Sequence, residues 1–208
     1  AIRQVSDLYR KTRRWFHLNR FLEVRTNALG AVSGFDGYVK PFSSDYIPSR
    51  GAGRSLLLRT SAELEMKKLV FSGEDRIFQI ARSFRNDEYD LTHRPEFDML
   101  EWYTPDSDYL GAMRQTERLL AFVAGSRKIA FRDRQIRFDR RFERIRVADL
   151  FRDRTGIDLR AVQDRSGFLE AAAKAGAGHI KPTASWDTIY FVLFLDKIEP
   201  ELARMDKP

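Results

Sequence analysis

The stretch FRNDEYDLTHRPEFDMLEWY, residues 84–103, decides the fold and carries most of the candidate chemistry. The stretch begins with the last two residues of one run of alternating apolar and polar residues, RIFQIARSFR (76–85). It ends with a second such run, EFDMLEWY (96–103). Alternation with a period of two is typical of half-buried β-strands. The polar residues 86–95 between the runs predict a long loop, and loops of this length in compact domains are often functional. We therefore predict an antiparallel hairpin that presents a site.

One face of this predicted hairpin is chemically unusual. On the second strand, Phe97, Glu101 and Tyr103 share a face on which successive side chains lie roughly 6.6 Å apart. A carboxylate buried there without a cationic partner would be costly, and a cationic ligand would resolve that cost. Arg85 ends the neighbouring strand and could bind a phosphate through a forked pair of hydrogen bonds. The surface suits a flat ring, a phosphate and an ammonium group, as in ATP with an amino acid.

The composition narrows the class of protein. The chain has 208 residues, of which 43% are hydrophobic, enough for an ordinary domain with its own core. It contains no cysteine and three histidines, which excludes disulfides and thiolate metal sites and argues against a histidine-based zinc site. Because no run is apolar enough to span a membrane, we expect no membrane partner and a cytoplasmic protein.

Positive charge is concentrated in one segment. Residues 127–146 hold nine basic and three acidic side chains, in a chain whose net charge is +7. Such an excess favours an acidic partner such as ATP, RNA or an acidic protein. A solvated face of mixed charges is the alternative explanation for this segment.

The remaining pattern predicts helices mixed with short strands. Residues 5–18 carry an apolar stripe at helical spacing, formed by Val5, Leu8, Tyr9, Thr12, Trp15 and Phe16. We predict short strands at residues 38–42 and 55–60, and then a helix that begins near Ser61 and ends at Gly73. After Tyr103 the pattern is mainly helical, interrupted by a basic strand pair.

These segments resemble the lysyl branch of the class II aminoacyl-tRNA synthetases. Motif 2 of that branch runs F-R-N-E, a variable loop, then R-H-N-P-E-F-T-M-L-E-x-Y, and this chain has FRNDE and THRPEFDMLEWY. RRWFHLNRFLEVRT resembles the motif 1 helix and strand, and SWDTIYFVLFLDKIEPEL resembles the helix before the final catalytic strands. The resemblance implies an α+β fold with an antiparallel sheet flanked by helices. It also implies one catalytic domain over residues 1–208, with a helical insertion over residues 104–200.

The resemblance assigns an ATP site to the hairpin. Arg85 would be the catalytic arginine that binds the α-phosphate and stabilises its charge, and Phe97 would stack on adenine. Asn86, Asp87 and His93 would complete the site, with Asp87 one methylene shorter than the family's glutamate. The alternatives are a strand-end ion pair for Arg85, ordinary core packing for Phe97 and a loop hydrogen bond for His93. ATP and Mg²⁺ are the implied cofactors.

The resemblance also assigns a lysine site. Glu101 and Tyr103 would hold the ε-ammonium of the substrate, and Glu63 would recognise its other amino group. A structural ion pair is the alternative for Glu101, and a first-turn acid favoured by the helix dipole is the alternative for Glu63. The implied reaction forms an acyl-adenylate from ATP and lysine or β-lysine.

The molecule that would receive the activated lysine is predicted from a comparison within the family. Ordinary lysyl-tRNA synthetases carry an anticodon-binding barrel before motif 1, whereas only a handful of residues precede the first predicted helix here. We therefore expect the elongation factor P ligase type, which transfers (R)-β-lysine to a lysine of elongation factor P. A lysyl-tRNA synthetase fragment that charges tRNA and a non-catalytic paralogue that binds a nucleotide or a protein are the alternatives.

The chain departs from the family at several positions and at its end. Ala62 replaces a common proline, and Arg94 replaces the usual asparagine beside His93. Asn27 stands where motif 1 has the proline of its dimer-interface turn, although we still expect a homodimer. The sequence stops at IEPELARMDKP, before the stretch that in the family carries motif 3 and the final strands. We expect a fragment that lacks the C-terminal strands of its sheet and is inactive in adenylation by itself.

Overall fold

A computed structural model describes residues 2–34, 37–86, 89–90 and 93–205. The chain divides into two compact units, residues 1–123 and residues 124–208. Each unit has its own core and is described by itself. No described helix combines the length and apolar character needed to cross a bilayer.

The first unit mixes helices with two small sheets. Its described elements are α1 (Ile2–Leu18), β1 (Leu22–Glu23), β2 (Leu29–Gly30), β3 (Ser43–Tyr46), β4 (Arg54–Leu58), α2 (Glu63–Phe71), β5 (Ile77–Phe84), β6 (Glu96–Tyr103) and α3 (Tyr109–Ala124). One sheet has the order β1-β5-β6, with β1 parallel to β5 and β6 antiparallel to it. The other sheet is antiparallel, with the order β2-β4-β3. The predicted α+β fold with antiparallel sheets flanked by helices is confirmed.

The aromatic core of the first unit lies between α1 and the β5–β6 hairpin. Phe16 stacks on Phe78 with ring centroids 4.3 Å apart, and Trp102 packs against Phe16 from β6. Such ring pairs add to the stability that their burial provides. Of the predicted helical stripe, the C-terminal residues Thr12, Trp15 and Phe16 are buried, whereas Val5 and Leu8 remain about half exposed. The sheet therefore covers only the last turns of the stripe.

The strand predicted at residues 38–42 is wrong. Residues 37–39 form a turn, and β3 begins at Ser43, where it pairs with Leu57 of β4. Pro41 has no N–H to donate to a ladder and its φ is fixed, so it disfavours a strand centred on it. Within this region the carbonyl of Lys40 accepts from the Asn86 N–H (2.8 Å), and the carbonyl of Phe42 accepts from the Leu58 N–H (2.9 Å).

The second unit is mainly helical. Its described elements are β7 (Lys128–Phe131), β8 (Arg134–Arg137), α4 (Val147–Thr155), α5 (Arg165–Lys174), α6 (Trp186–Leu193), a π-helical turn (Phe194–Ile198) and α7 (Glu199–Leu202). The helices surround a core in which Phe151, Phe168, Ile189 and Leu193 are fully buried. Gly156 ends α4 in the left-handed conformation (φ 72°), which glycine adopts without a Cβ clash.

Candidate active site

The β5–β6 hairpin presents one continuous face to the candidate site. Its register pairs Gln79 with Glu101 and Ser83 with Phe97. Directly opposed residues on antiparallel strands project to the same side, so these four side chains share a face. Phe78, one position along β5, points to the other face and is buried in the aromatic core. The alternation of the sequence therefore separates the candidate site from the aromatic core, although Ile77 and Ala81 on the site face belong to a smaller core cluster, against which Tyr103 packs.

Arg85 and Phe97 form one end of this face. The N–H of Arg85 donates to the carbonyl of Pro95 (2.9 Å), so the hydrogen bonding between the two strands extends one residue beyond β5. The guanidinium carbon lies 5.3 Å from the centre of the Phe97 ring, in a cation–π contact. A fixed guanidinium next to an aromatic face is an arrangement that a phosphate attached to a planar base requires.

Glu101 and Tyr103 form the other end. Glu101 is half-buried; its Oε1 accepts a hydrogen bond from the Ala62 N–H (2.8 Å), and its Oε2 accepts one from the Tyr103 hydroxyl (3.2 Å). Burial is the largest effect on the carboxyl and raises the pKa of Glu101, against the two hydrogen bonds. Burial and the Glu101 charge raise the pKa of Tyr103 well above its usual range, so its hydroxyl remains a donor.

A buried polar network that the sequence did not predict lies beside Glu101. Arg59 is 9% exposed, and its guanidinium donates to the carbonyl of Arg82 (2.7 Å) and to both the carbonyl (3.0 Å) and hydroxyl (3.1 Å) of Thr26. Guanidinium can only donate, so the Thr26 hydroxyl accepts from Arg59 and donates to the Gln79 side-chain oxygen (2.9 Å). This order of donors turns the Gln79 amide so that its oxygen faces Thr26.

The network has two consequences for the site. Gln79 is 4% exposed and is the direct cross-strand partner of Glu101, so the network fixes the wall beside that carboxylate. The positive charge of Arg59 also lowers the pKa of Glu101, and this is the smallest of the effects that act on that carboxyl. The only sequence signal for this network was the polar residue Gln79 on the same strand face as Arg85.

Glu63 begins helix α2, next to the residue whose N–H binds Glu101. Its carboxylate pairs with Lys67 one turn later (2.5 Å), and its N–H donates to the Ser61 hydroxyl (3.3 Å). The negative charge of Glu63 raises the pKa of both Glu101 and Tyr103. The structure thus brings Glu63 close to the predicted lysine site, and also shows the first-turn position that the alternative explanation requires.

The loop residues of the predicted ATP site have local partners. The Asn86 N–H donates to the carbonyl of Lys40 (2.8 Å). Nδ1 of the exposed His93 lies 2.8 Å from the carboxylate of Asp90, so the loop hydrogen bond considered as an alternative is present. Asp87 lies outside the described residues.

The two ends of the face are matched to different chemical groups. Phe97 and Glu101 are four strand residues apart, about 13 Å along β6. One end offers a cation and an aromatic ring, and the other offers a carboxylate and a phenol. A ligand with a nucleotide at one end and an amine at the other would satisfy both.

Comparison with known proteins shows the family of this chain. Residues 1–192 match the family model described as tRNA synthetases class II (D, K and N). The chain is 35% identical over 205 residues to an elongation factor P (R)-β-lysine ligase of Pectobacterium atrosepticum, covering 98% of this chain and 58% of that protein. It is 31% identical over 202 residues to a lysine–tRNA ligase of Pelotomaculum thermopropionicum, covering 95% of this chain and 39% of that protein. The chain thus spans about half the length of these relatives, and it belongs to the class II tRNA synthetase family (D, K and N).

Proposed function

We propose that this chain is part of a ligase that activates lysine or β-lysine with ATP and transfers it to a lysine of elongation factor P. One observation carries the proposal: a fixed guanidinium with an aromatic ring and a half-buried carboxylate with a phenol share one face of a single hairpin. The family shown above supports an adenylate-forming reaction at this face.

The proposed reaction has two steps. The substrate carboxylate attacks the α-phosphorus of ATP, a new P–O bond forms, and the bond to pyrophosphate breaks. Arg85 stabilises the charge that develops on the α-phosphate, and Phe97 holds the adenine by stacking. An amine of the acceptor then attacks the acyl carbon and releases AMP, while the proton of the amine goes to solvent. The chain forms no covalent bond, so positioning and electrostatics provide the acceleration.

The lysine end sets the substrate class. An ammonium group that replaces water near Glu101 would favour the ionised carboxylate, which burial otherwise disfavours. Tyr103 steadies that carboxylate, and Glu63 would accept the second amino group. Asn86, Asp87 and His93 would complete the ATP site from the loop.

Mg²⁺ would accompany the phosphates of ATP and neutralise part of their charge. Among the described residues, no group of three or more histidine, aspartate or glutamate side chains is arranged to hold a metal ion.

Elongation factor P is the proposed acceptor because a relative named as an elongation factor P (R)-β-lysine ligase is 35% identical and 98% of this chain aligns with it. A lysine–tRNA ligase, acting on tRNA, is the second candidate, supported by the relative at 31% identity. We further propose that the protein is cytoplasmic. We also propose that it forms a homodimer, and light scattering of the purified protein would test the dimer.

The central test is lysine-dependent ATP–pyrophosphate exchange by the complete protein that carries this chain. We expect exchange with lysine or β-lysine, and a loss of roughly 100-fold in the Arg85→Lys variant, because a lysine cannot make the forked contact. Glu101→Gln should raise the KM for lysine by roughly tenfold to 100-fold with a smaller effect on ATP. Glu96→Gln, on the opposite face and exposed, is the matched control. No exchange with either amino acid would favour the non-catalytic paralogue.

The acceptor is tested separately. Radiolabelled β-lysine should appear on elongation factor P and not on tRNA. Transfer to tRNA alone would replace the proposed acceptor by the second candidate while leaving the activation step intact.

A further inference from the structure

The basic segment, residues 127–146, accounts for most of the charge of the chain. It carries a net charge of +6, whereas the remaining residues hold 28 basic and 27 acidic side chains. A solvated face of mixed charges would show a balance closer to that of the rest of the chain. The segment is therefore a local concentration of positive charge, of the kind that attracts a polyanion.

The structure places most of this charge on the surface. The exposed basic side chains of the segment are Arg127, Lys128, Arg132, Arg140, Arg141, Arg144 and Arg146. One arginine, Arg137, is engaged by Asp139 through two hydrogen bonds of 3.1 Å. Eight of the nine basic residues are arginines, whose planar forks bind phosphate oxygens in pairs.

The β7–β8 hairpin adds an exposed aromatic ring to this charge. All four residues of β7 are exposed. Among the described residues, each strand of the hairpin makes most of its contacts with the other strand. Phe131, at the end of β7, is 51% exposed, and the guanidinium carbon of Arg132 lies 5.4 Å from the centre of its ring. Ile129 lies two positions earlier on the same face and is 38% exposed.

An exposed aromatic ring among arginines, such as Phe131, suits an unpaired base. Proteins that bind single-stranded nucleic acid combine a positive surface along the backbone with aromatic side chains on which bases stack. An acidic protein would pair with the charge and could also pack against the ring, whereas a nucleotide would use both together, with its base on Phe131 and its phosphate on the neighbouring Arg132. The combination therefore favours a nucleic acid strand over an acidic polypeptide.

We propose that the basic segment binds single-stranded nucleic acid, with its arginines on the phosphates and Phe131 stacked on a base. The inference is independent of the proposed function, because it uses no residue of the β5–β6 hairpin. RNA and DNA share the chemistry that the segment recognises.

Fluorescence anisotropy with labelled oligouridine and oligothymidine tests the proposal on the 208-residue chain. We expect binding that weakens steeply with salt, because each phosphate contact contributes about 0.7 to the slope of log K against log salt. The triple variant Arg140→Ala, Arg141→Ala, Arg144→Ala should reduce this slope by about 2. The triple variant Arg3→Ala, Arg50→Ala, Arg118→Ala removes the same charge from exposed positions of the first unit and should leave the slope nearly unchanged.

A second pair of variants tests stacking. Phe131→Ala should weaken oligonucleotide binding by roughly tenfold, and Phe131→Trp should restore it. Phe71→Ala, which removes an 88% exposed ring from the first unit, is the matched control and should have no effect. Circular dichroism of every variant establishes that it is folded.

Three results would overturn the proposal. The first is equal loss of slope in both triple variants, and the second is unchanged binding by Phe131→Ala. The third is displacement of the oligonucleotide by polyglutamate at equal charge concentration, which would identify an acidic protein as the partner. Tighter binding of oligouridine or of oligothymidine identifies RNA or DNA as the ligand, and when the same substitutions are placed in the complete protein, its pyrophosphate exchange should be unchanged.

Discussion

The β5–β6 and β7–β8 hairpins are both antiparallel, and they differ in almost every other respect. β5–β6 pairs eight residues on each strand, buries Phe78 on one face and holds Glu101 and Arg85 on the other. β7–β8 pairs four residues on each strand and leaves the whole of β7 exposed. The comparison teaches that a hairpin supports a preorganised site when one of its faces is anchored in a core. A hairpin without such an anchor offers only its surface.

The largest expected contrast concerns the aromatic residue of each hairpin. Phe78→Ala should lower the free energy of unfolding by about 3–5 kcal/mol, because it removes a fully buried ring stacked on Phe16. Phe131→Ala should change it by no more than about 0.5 kcal/mol, because that ring is half exposed. Urea unfolding measures both. Similar losses would show that the β7–β8 hairpin is anchored after all.

The next contrast concerns arginines. Arg59→Met should cost about 2–3 kcal/mol, since it leaves the partly buried carbonyls of Thr26 and Arg82 without the donor that the buried Arg59 supplies. Arg140→Met, at an exposed position of the basic segment, should be within about 0.5 kcal/mol of the parent. Thermal unfolding of the two variants side by side checks this, and a neutral Arg59→Met would contradict a structural role for the network.

A smaller effect is expected from Glu101, and it depends on pH. Because the folded state raises the pKa of this carboxyl, the folded chain binds more protons than the unfolded chain between the two pKa values. The contribution of Glu101 to stability is therefore largest in acid and is lost as the pH rises through its raised pKa. Glu101→Gln lacks this loss, so its stability relative to the parent should increase from acid to neutral pH.

Urea unfolding at several pH values measures that profile. A relative stability that does not change with pH would show that Glu101 is not held in a desolvated position. Increased stability together with lost lysine binding would identify the carboxylate as a functional residue that costs stability.

The smallest effect is expected at the exposed end of the core-facing side of β5–β6, beyond Phe78 and Trp102. Arg82 pairs there with Glu96 (2.9 Å) and Asp98 (2.8 Å), and all three side chains are partly or largely exposed. Arg82→Met should cost less than about 1 kcal/mol, and the cost should shrink in about 0.5 M NaCl, where exposed charges are screened. A large or salt-independent cost would mean that these three side chains are not solvated at this end of the face. The measurement is urea unfolding at two salt concentrations.

Much of the site-bearing hairpin was predictable, because its information is local. The strand predicted over residues 96–103 has exactly those bounds in the structure, and the alternation correctly grouped Phe97, Glu101 and Tyr103 on one face. The helix between Ser61 and Gly73 was also found where the pattern placed it. The strand at residues 38–42 failed because Pro41 outweighed the apolar pattern around it.

The sequence by itself determined the hairpin, the alternation of its faces and the family, since each depends on residues close together in the chain or on a contiguous motif. Only the tertiary structure decided that Arg59 reaches Thr26, 33 positions earlier, and that Thr26 reaches Gln79, 53 positions later. It also decided that Glu101 receives the N–H of Ala62, 39 positions away. The physical reason is that these contacts form between segments whose approach is set by packing, and no local period of the sequence encodes which distant backbone group will face a given side chain.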